Sequence, residues 1–294
     1  MYEAHFGLQQ LPFTLTPHTG FYYGLPPHEE ALQVLRVALA GGEGFIKVTG
    51  EVGTGKTLLL RKLMAELADT CQVIYLPNPW LSPEELRLAL AHELGLETGS
   101  GELAVTDAIH RELVALRRAG RPAILLLDEA QALPDASLEA IRLFGNLETE
   151  SSKLLQVVLF GQPELDSRLR AEHLRQLRQR ITFSCQLRPL QCDETRAYLA
   201  WRLAVSGYQG APLFTPAAVR RLWRASRGIP RLINVLAHKS LMLAFGKGEA
   251  RIGPRLVRAA VRDTEDASLL PSPWWGLCWL LAVLVIVLLG RGML

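Results

Sequence analysis

The chain has 294 residues, of which 49% are hydrophobic and 21% charged, a composition that excludes an intrinsically disordered protein and allows one or two domains. The formal net charge is only +3, but residues 1–167 carry 12 Lys+Arg against 22 Asp+Glu, whereas residues 168–262 carry 19 against 4. This asymmetry indicates two bodies with different partners. The basic body suits nucleic acid, anionic lipid or a triphosphate, or is simply a solvated helical surface. No cysteine pair or histidine pair has metal-ligand spacing, so the sequence predicts no metal cage and no disulfide framework.

The first two thirds of the chain alternate between strand and helix patterns. Short apolar runs predict buried strands at 44–50, 72–76, 122–129 and 155–161, and a more alternating run predicts a fifth at 181–187. Amphipathic patterns predict helices at 56–68, 82–95, 104–119 and 135–147. Strands that alternate with helices are typical of a parallel sheet with crossover helices, so we predict an α/β core over residues 1–189.

The strand patterns stop after Pro189. Helical patterns then cover 192–209, 215–227, 229–246 and 253–264, which predicts an all-helical subdomain over residues 190–264. Residues 265–273 are a predicted linker.

The C-terminal region contains an uncharged run, WWGLCWLLAVLVIVLLG, at 274–290. As a helix it would extend roughly 25 Å, slightly less than the hydrocarbon core of a bilayer. Its leading tryptophans suit the headgroup region, and no polar face is available to meet water. We therefore predict a transmembrane helix; the alternative is a terminal helix buried in the core. Arg255, Arg258 and Arg262 before the run outnumber Arg291 after it, which predicts that the preceding domains lie on the cytoplasmic side.

A glycine-rich segment, GEVGTGKT at 50–57, follows the first predicted strand and opens the next helix. In this context the GxxxxGK[ST] pattern is typical of a P-loop, which binds nucleotide phosphates. Glycines let successive backbone N–H groups point at phosphate oxygens, and the helix N-terminus adds positive charge. The lysine can reach the β- and γ-phosphates, and the threonine hydroxyl can ligate Mg²⁺. The predicted binding residues are Gly50, Glu51, Val52, Gly53, Thr54, Gly55, Lys56 and Thr57.

A second motif, ILLLDEAQ at 124–131, ends an apolar strand with two carboxylates. Ligands of doubly wound sheets bind at the carboxyl ends of the strands, so these side chains are expected beside the P-loop. Asp128 would hold Mg²⁺ and complete the nucleotide site, and Glu129 would polarise the attacking water as the catalytic base. Together the two motifs predict ATP binding and Mg²⁺-dependent hydrolysis, in which Lys56 also counts as catalytic.

With a helical subdomain and a GxPR motif at 228–231, these features resemble an AAA+ ATPase. More narrowly, five segments resemble the ExeA/GspA secretion ATPases and, among them, MshM-type proteins of MSHA (type IV) pilus biogenesis. The segments are FGLQQLPFTLTPHTGFYYGLPPHEEAL (6–32), GEVGTGKT (50–57), LLDEAQ (126–131), FGQPEL (160–165) and LRQRI (177–181).

The resemblance implies roles for further residues. Gln162 takes the sensor-1 position, where it would orient the attacking water. Arg180, or alternatively Arg178, takes the position of an arginine finger that reaches a neighbouring subunit, which implies a homo-oligomeric ring. Arg231 takes the sensor-2 position. The aromatic residues 21–23 would lie near adenine, although core packing explains them equally well.

The resemblance therefore implies an ATPase that is anchored in the bacterial inner membrane and supports assembly of a type IV pilus or a type II secretion apparatus. Its expected partners are further copies of itself, assembly proteins, and lipid around residues 274–290. ExeA-like proteins continue into a periplasmic peptidoglycan-binding domain, whereas this sequence stops four residues after Gly290, which favours the MshM-like interpretation. Two alternatives remain open. One is a nucleic-acid-directed ATPase of the transposition-helper or initiator kind, and the other is a nucleotide-gated scaffold with little turnover.

Overall fold

The computed structural model describes residues 2–14, 23–77, 80–97, 101–148 and 153–267. The described chain divides into an α/β unit, made of residues 14–190 with Ile229–Arg231, and a helical unit made of the other described residues.

Five parallel strands form the sheet of the α/β unit, in the order β2-β3-β4-β1-β5. The predicted parallel sheet is therefore confirmed. Strand β1 lies between β4 and β5. Because all five strands are parallel, the loops after β1, β3 and β4 lie at the same end of the sheet, where the strands have their carboxyl ends. The strands are β1 Phe45–Gly50, β2 Gln72–Leu76, β3 Ala123–Leu127, β4 Leu155–Gly161 and β5 Ile181–Leu187.

Most described helices begin where the sequence predicts. Ser82 caps α4 with a capping box, in which its hydroxyl accepts a hydrogen bond from an otherwise unpaired backbone N–H of the first turn. Pro83 occupies the first turn, where its lack of an N–H group costs no hydrogen bond. The helices are α1 Glu3–Phe6, α2 Pro26–Ala40, α3 Lys56–Leu67, α4 Pro83–Glu93, α5 Glu102–Arg118, α6 Asp135–Phe144, α7 Glu164–Leu169, α8 Arg175–Arg180, α9 Cys192–Val205, α10 Pro216–Ser226, α11 Pro230–Gly246 and α12 Pro254–Arg262.

The sheet is covered on both faces, which explains its uninterrupted apolar strands. Every residue of β3 and β4 is buried, and successive residues point to opposite faces. Leu125 and Leu127 belong to the core beneath α4, α5 and α6, whereas Ile124 and Leu126 belong to the core beneath α2 and α3. The strand ends are thus held firmly at the edge that carries the P-loop.

The helical unit includes the start of the chain as well as residues after 190. The Arg202 Nε donates to the Pro12 carbonyl oxygen at 2.5 Å, and the Tyr2 hydroxyl lies 2.9 Å from Nδ1 of His238. The predicted division at residue 189/190 assigned residues 1–13 to the α/β core; in the structure they group with the helical unit. Their aromatic and backbone groups meet partners more than 189 positions away, which local patterns do not reveal.

Within the described ranges no helix is long and apolar enough to cross a membrane. The predicted transmembrane helix at 274–290, and most of the predicted linker at 265–273, lie outside those ranges.

Candidate functional site

The P-loop adopts the backbone that phosphate binding requires. Gly53 and Gly55 have φ angles of 82° and 96°, in the left-handed region where a side chain is strained. Helix α3 begins directly after them at Lys56, so its unpaired N–H groups face the loop. The loop is closed by the Thr54 hydroxyl, which donates to the Glu51 carbonyl oxygen at 2.8 Å.

Lys56 is buried across the mouth of this loop. Its Nζ donates to the carbonyl oxygens of Gly50 at 2.7 Å and Glu51 at 3.2 Å. Burial lowers the pKa of Lys56, and the carboxylates of Glu129 and Asp128 partly oppose that shift. The ammonium group is thus held by neutral carbonyl acceptors. A charged phosphate oxygen is a stronger acceptor and can take their place.

Thr57 and Asp128 meet between the P-loop and the end of β3. The Thr57 hydroxyl donates to Oδ2 of Asp128 at 2.7 Å, and the Glu129 backbone N–H donates to Oδ1 at 2.9 Å. Burial raises the pKa of Asp128, while these two hydrogen bonds act in the opposite direction. Two oxygen atoms at this separation are the kind of ligands that Mg²⁺ prefers.

Glu129 has a left-handed backbone, with φ 51° and ψ 38°, which is uncommon for a residue with a side chain. Its Oε2 accepts from Nε2 of Gln131 at 2.6 Å and from Nε2 of Gln162 at 3.1 Å. Burial raises the pKa of Glu129, but these two amides and the charge of Lys56 outweigh burial, so the net pKa is lowered. Glu129 is therefore ionised and oriented near neutral pH.

Gln131 links the two predicted catalytic positions, although the sequence assigned it no role. Its Oε1 accepts from the Gln162 backbone N–H at 3.0 Å, while its Nε2 binds the Glu129 carboxylate. Gly161 allows this approach, since a Cβ there would lie 3.2 Å from Oε1 of Gln131. In the sequence, its involvement is indicated only by its position two residues after Glu129, within the ILLLDEAQ motif.

His28 is a second residue that sequence reasoning missed. It is buried in the first turn of α2, and its Nε2 donates to the Thr54 carbonyl oxygen at 2.9 Å. A Cβ on Gly55 would lie 2.7 Å from this nitrogen. His28 therefore packs against the backbone of the P-loop at Thr54 and Gly55. Neither its neighbouring prolines nor its neighbouring glutamates indicate that position.

Arg231, the residue predicted for the sensor-2 position, lies beside the P-loop. Its backbone N–H donates to the Gly53 carbonyl oxygen at 3.2 Å, and a Cβ on Gly53 would lie 2.6 Å from the Arg231 Cβ. The Arg231 side chain is exposed.

Arg180 and Arg178 lie near the amino-terminal ends of the strands, whereas the P-loop lies at the carboxyl ends. Arg180 ends α8 directly before β5, whose first residue pairs with Phe45, whereas Leu187 at its end pairs with Gly50. The two pairs are separated by the length of the strand, which is roughly 20 Å. The structure thus gathers the other predicted site residues and leaves these two arginines beyond reach of their own P-loop.

The residues present fit a nucleotide with Mg²⁺. The left-handed glycines leave space where a Cβ would collide, Lys56 supplies a buried cation, and Thr57 with Asp128 supplies two oxygen ligands. When bound there, Mg²⁺ would neutralise phosphate charge. The chain's own contribution is to orient the carboxylate of Glu129 through Gln131 and Gln162. Of the predicted aromatic residues, 21 and 22 lie outside the described part of the chain.

Comparisons with known proteins agree with this geometry. A family model described as an AAA domain matches residues 39–169. General secretion pathway protein A of Aeromonas hydrophila is 43% identical over 295 aligned residues, which are 94% of this chain and 54% of that protein. The chain therefore spans about half the length of the curated relative it matches.

Two solved structures show the same fold at low identity. Cdc6p of Pyrobaculum aerophilum has a TM-score of 0.62 and 21% identity, over 83% of this chain and 70% of that one. The RuvB branch migration motor of Thermotoga maritima has a TM-score of 0.54 and 18% identity, over 86% and 73% of the two chains. The predicted P-loop AAA-type α/β fold is confirmed, because residues 39–169 match the AAA domain model and the solved structures share the fold. The chain is also similar to a protein of the general secretion pathway.

Proposed function

We propose that this protein is an ATPase, anchored in the bacterial inner membrane by residues 274–290, which uses ATP hydrolysis to support assembly of a type II secretion apparatus or an MSHA-like type IV pilus. The AAA domain would lie in the cytoplasm, where ATP is available. It would act as a homo-oligomer; the distance of Arg180 from its own P-loop supports this, because an arginine finger at that position would have to serve a neighbouring copy.

The observation that carries the ATPase proposal is the cluster around the P-loop. Lys56, the Thr57–Asp128 pair and the oriented Glu129 supply a phosphate-binding cation, two Mg²⁺ ligands and a base. The relation to General secretion pathway protein A supports the choice of a secretion-linked assembly, and the sequence resemblance to MshM-type proteins supports a pilus.

The test of this proposal measures biochemistry and assembly with the same variants. Purified full-length protein should release phosphate from ATP only when Mg²⁺ is present. A strain lacking the gene should lose either exoprotein secretion or surface pili, and the Glu129→Gln variant should not restore it. Normal secretion and normal pili in the deletion strain would refute the assigned role and leave the ATPase proposal standing.

Membrane anchoring is tested separately by fractionation. Full-length protein should sediment with inner membranes and remain there after alkaline carbonate washing, because a spanning helix is not held by charge. A protein ending at Glu265 should be released. Full-length protein in the cytosolic fraction would show that residues 274–290 do not anchor it.

A nucleotide-gated scaffold is the second candidate, and one observation favours it. The Glu129 carboxylate is engaged by two amides and has a lowered pKa, which makes it a weaker base. In that case ATP binding alone would control assembly, and the Glu129→Gln variant would restore secretion or piliation while hydrolysing nothing.

A further inference from the structure

Helices α10 and α12 of the helical unit carry an unusual surface. Together they contain six arginines and no aspartate or glutamate. Five are exposed and the sixth, Arg221, is partly exposed. None of the six is ion-paired within the described residues. We call them the arginine surface: Arg220, Arg221, Arg224, Arg255, Arg258 and Arg262.

The fold joins the segments from which these two helices begin. A parallel bridge joins Phe214 to Ile252, and the Thr215 N–H donates to the Ile252 carbonyl oxygen at 3.0 Å. Each helix begins two residues after its half of that bridge, so the two helix starts lie close together. Arg220 and Arg258 each lie six residues beyond the bridge.

Packing directs the arginines outward. Helix α12 buries Leu256, Val257, Ala260 and Val261, and α10 likewise buries an apolar side that includes Leu222. Arginines on the opposite sides recur at spacings of three and four residues, which places like charges next to one another. Like charges at this spacing repel, so the surface is stabilised by an anion from outside.

The course of the chain favours one source of that anion. Only 11 residues separate Arg262 from Trp274, the start of the uncharged run. Even fully extended, this connection reaches about 40 Å, so an anchored chain holds α12 close to the headgroups. Such tethering raises the local concentration of lipid phosphates far above that of a free polyanion.

We propose that the arginine surface docks on anionic lipid headgroups and holds the helical unit against the membrane. This inference rests on the membrane anchoring proposed above. Each arginine near an anionic surface favours docking about fivefold, and the attraction fades within roughly 10 Å at 0.1 M salt.

The test uses full-length protein in vesicles of neutral phosphatidylcholine, or of phosphatidylcholine with about one third phosphatidylglycerol, whose anionic headgroups supply the surface charge. A fluorescent amino acid at Ala217, an exposed residue of α10, reports energy transfer to an acceptor on lipid headgroups. We expect strong transfer only with phosphatidylglycerol and only at low salt. The same probe at Leu103, which is 81% exposed in the α/β unit, supplies the reference.

Matched charge removal decides whether the arginine surface is responsible. The triple variant R255Q/R258Q/R262Q should weaken docking roughly 100-fold. The control R111Q/R118Q/R121Q removes three exposed arginines from α5 and its end and should leave docking unchanged. Equal transfer in both lipids, or an equal effect of both triple variants, would overturn the proposal.

Three further outcomes distinguish this proposal from the related ones. If carbonate strips the protein from both kinds of vesicle, anchoring fails and the docking proposal fails with it. If the protein stays anchored but phosphatidylglycerol has no effect, only docking is refuted. Salt-sensitive binding of duplex DNA that needs the same arginines, without any lipid effect, would assign the surface to nucleic acid.

Discussion

Lys56 and Glu129 serve different stages of the proposed reaction, and their surroundings differ accordingly. The ammonium group of Lys56 contacts groups that a bound phosphate replaces, so it acts in the ground state. The carboxylate of Glu129 is oriented by Gln131 and Gln162 and matters when water attacks. A residue that acts only in the transition state affects turnover and not binding.

The first prediction follows from this difference. Lys56→Ala should lose ATP binding, measured by calorimetry. Glu129→Gln should bind ATP with normal affinity and release little phosphate, because the amide retains the shape and loses the basic oxygen. An equal loss of affinity in both variants would contradict the two assignments.

Gln131 supplies the second prediction. Gln131→Ala removes the 2.6 Å hydrogen bond to the Glu129 carboxylate, so kcat should fall roughly 10-fold while KM for ATP stays unchanged. Gln72→Ala, a change at the opposite edge of the sheet, is the control in steady-state assays. A rise in kcat would instead show that the amide restrains the base.

At the scale of elements, the P-loop depends on α2 behind it. His28 is buried against Thr54, and Gly55 has both a left-handed backbone and no room for a Cβ. The backbone of the P-loop therefore depends on the packing of a helix that contributes no P-loop residue.

Gly55→Ala is the third prediction. A left-handed alanine alone costs roughly 1 kcal/mol, and contact with His28 at 2.7 Å adds to it. Gly120→Ala is the matched control, because Gly120 has φ 73° and a Cβ at that position would have nothing within 4 Å. Chemical denaturation should show a clearly larger loss of unfolding free energy for Gly55→Ala. Equal losses for the two variants would mean that the His28 side chain can move away from the added Cβ at little cost in free energy.

The fourth prediction concerns the pH dependence of stability. Burial lowers the pKa of His28 in the folded protein, against opposing effects of the Thr54 carbonyl and of Glu29, from the ordinary value of 6.5. The unfolded chain therefore binds the proton more readily, and the neutral histidine's contribution is complete above pH 6.5 and lost as pH falls below it.

Denaturation of wild type and His28→Gln between about pH 8 and pH 5 tests this sign. The wild-type free energy of unfolding should fall more steeply below about pH 6.5, by at most about 1.4 kcal/mol per pH unit. Parallel curves for the two proteins would show that His28 does not titrate as assigned.

At the scale of the whole molecule, the sheet register separates Arg180 from its own P-loop. The two lie at opposite ends of the β1–β5 pair, roughly 20 Å apart. If Arg180 is an arginine finger, it acts on a neighbouring copy.

The fifth prediction is that hydrolysis needs self-association. Specific activity should rise with protein concentration, and Arg180→Ala should bind ATP but lose most of its turnover, since arginine fingers contribute about 10³–10⁵-fold. Mixing Arg180→Ala with Glu129→Gln should restore part of the activity, because one interface then combines an intact finger with an intact base. Mixed oligomers without activity would exclude Arg180, and Arg178→Ala is the next variant to test.

The sequence by itself determined the P-loop, the two carboxylates after β3 and the parallel α/β class, because each depends on local spacing. Gly53, Gly55 and Lys56 are recognisable from neighbours in the chain, and apolar strands indicate burial on both faces. The assignment of residues 1–13, the support of Gly55 by His28 and the link from Gln131 to Gln162 were decided only by tertiary structure. Those contacts join residues that are 27 to 236 positions apart or depend on strand order, and no local pattern encodes which distant side chain fills a given space.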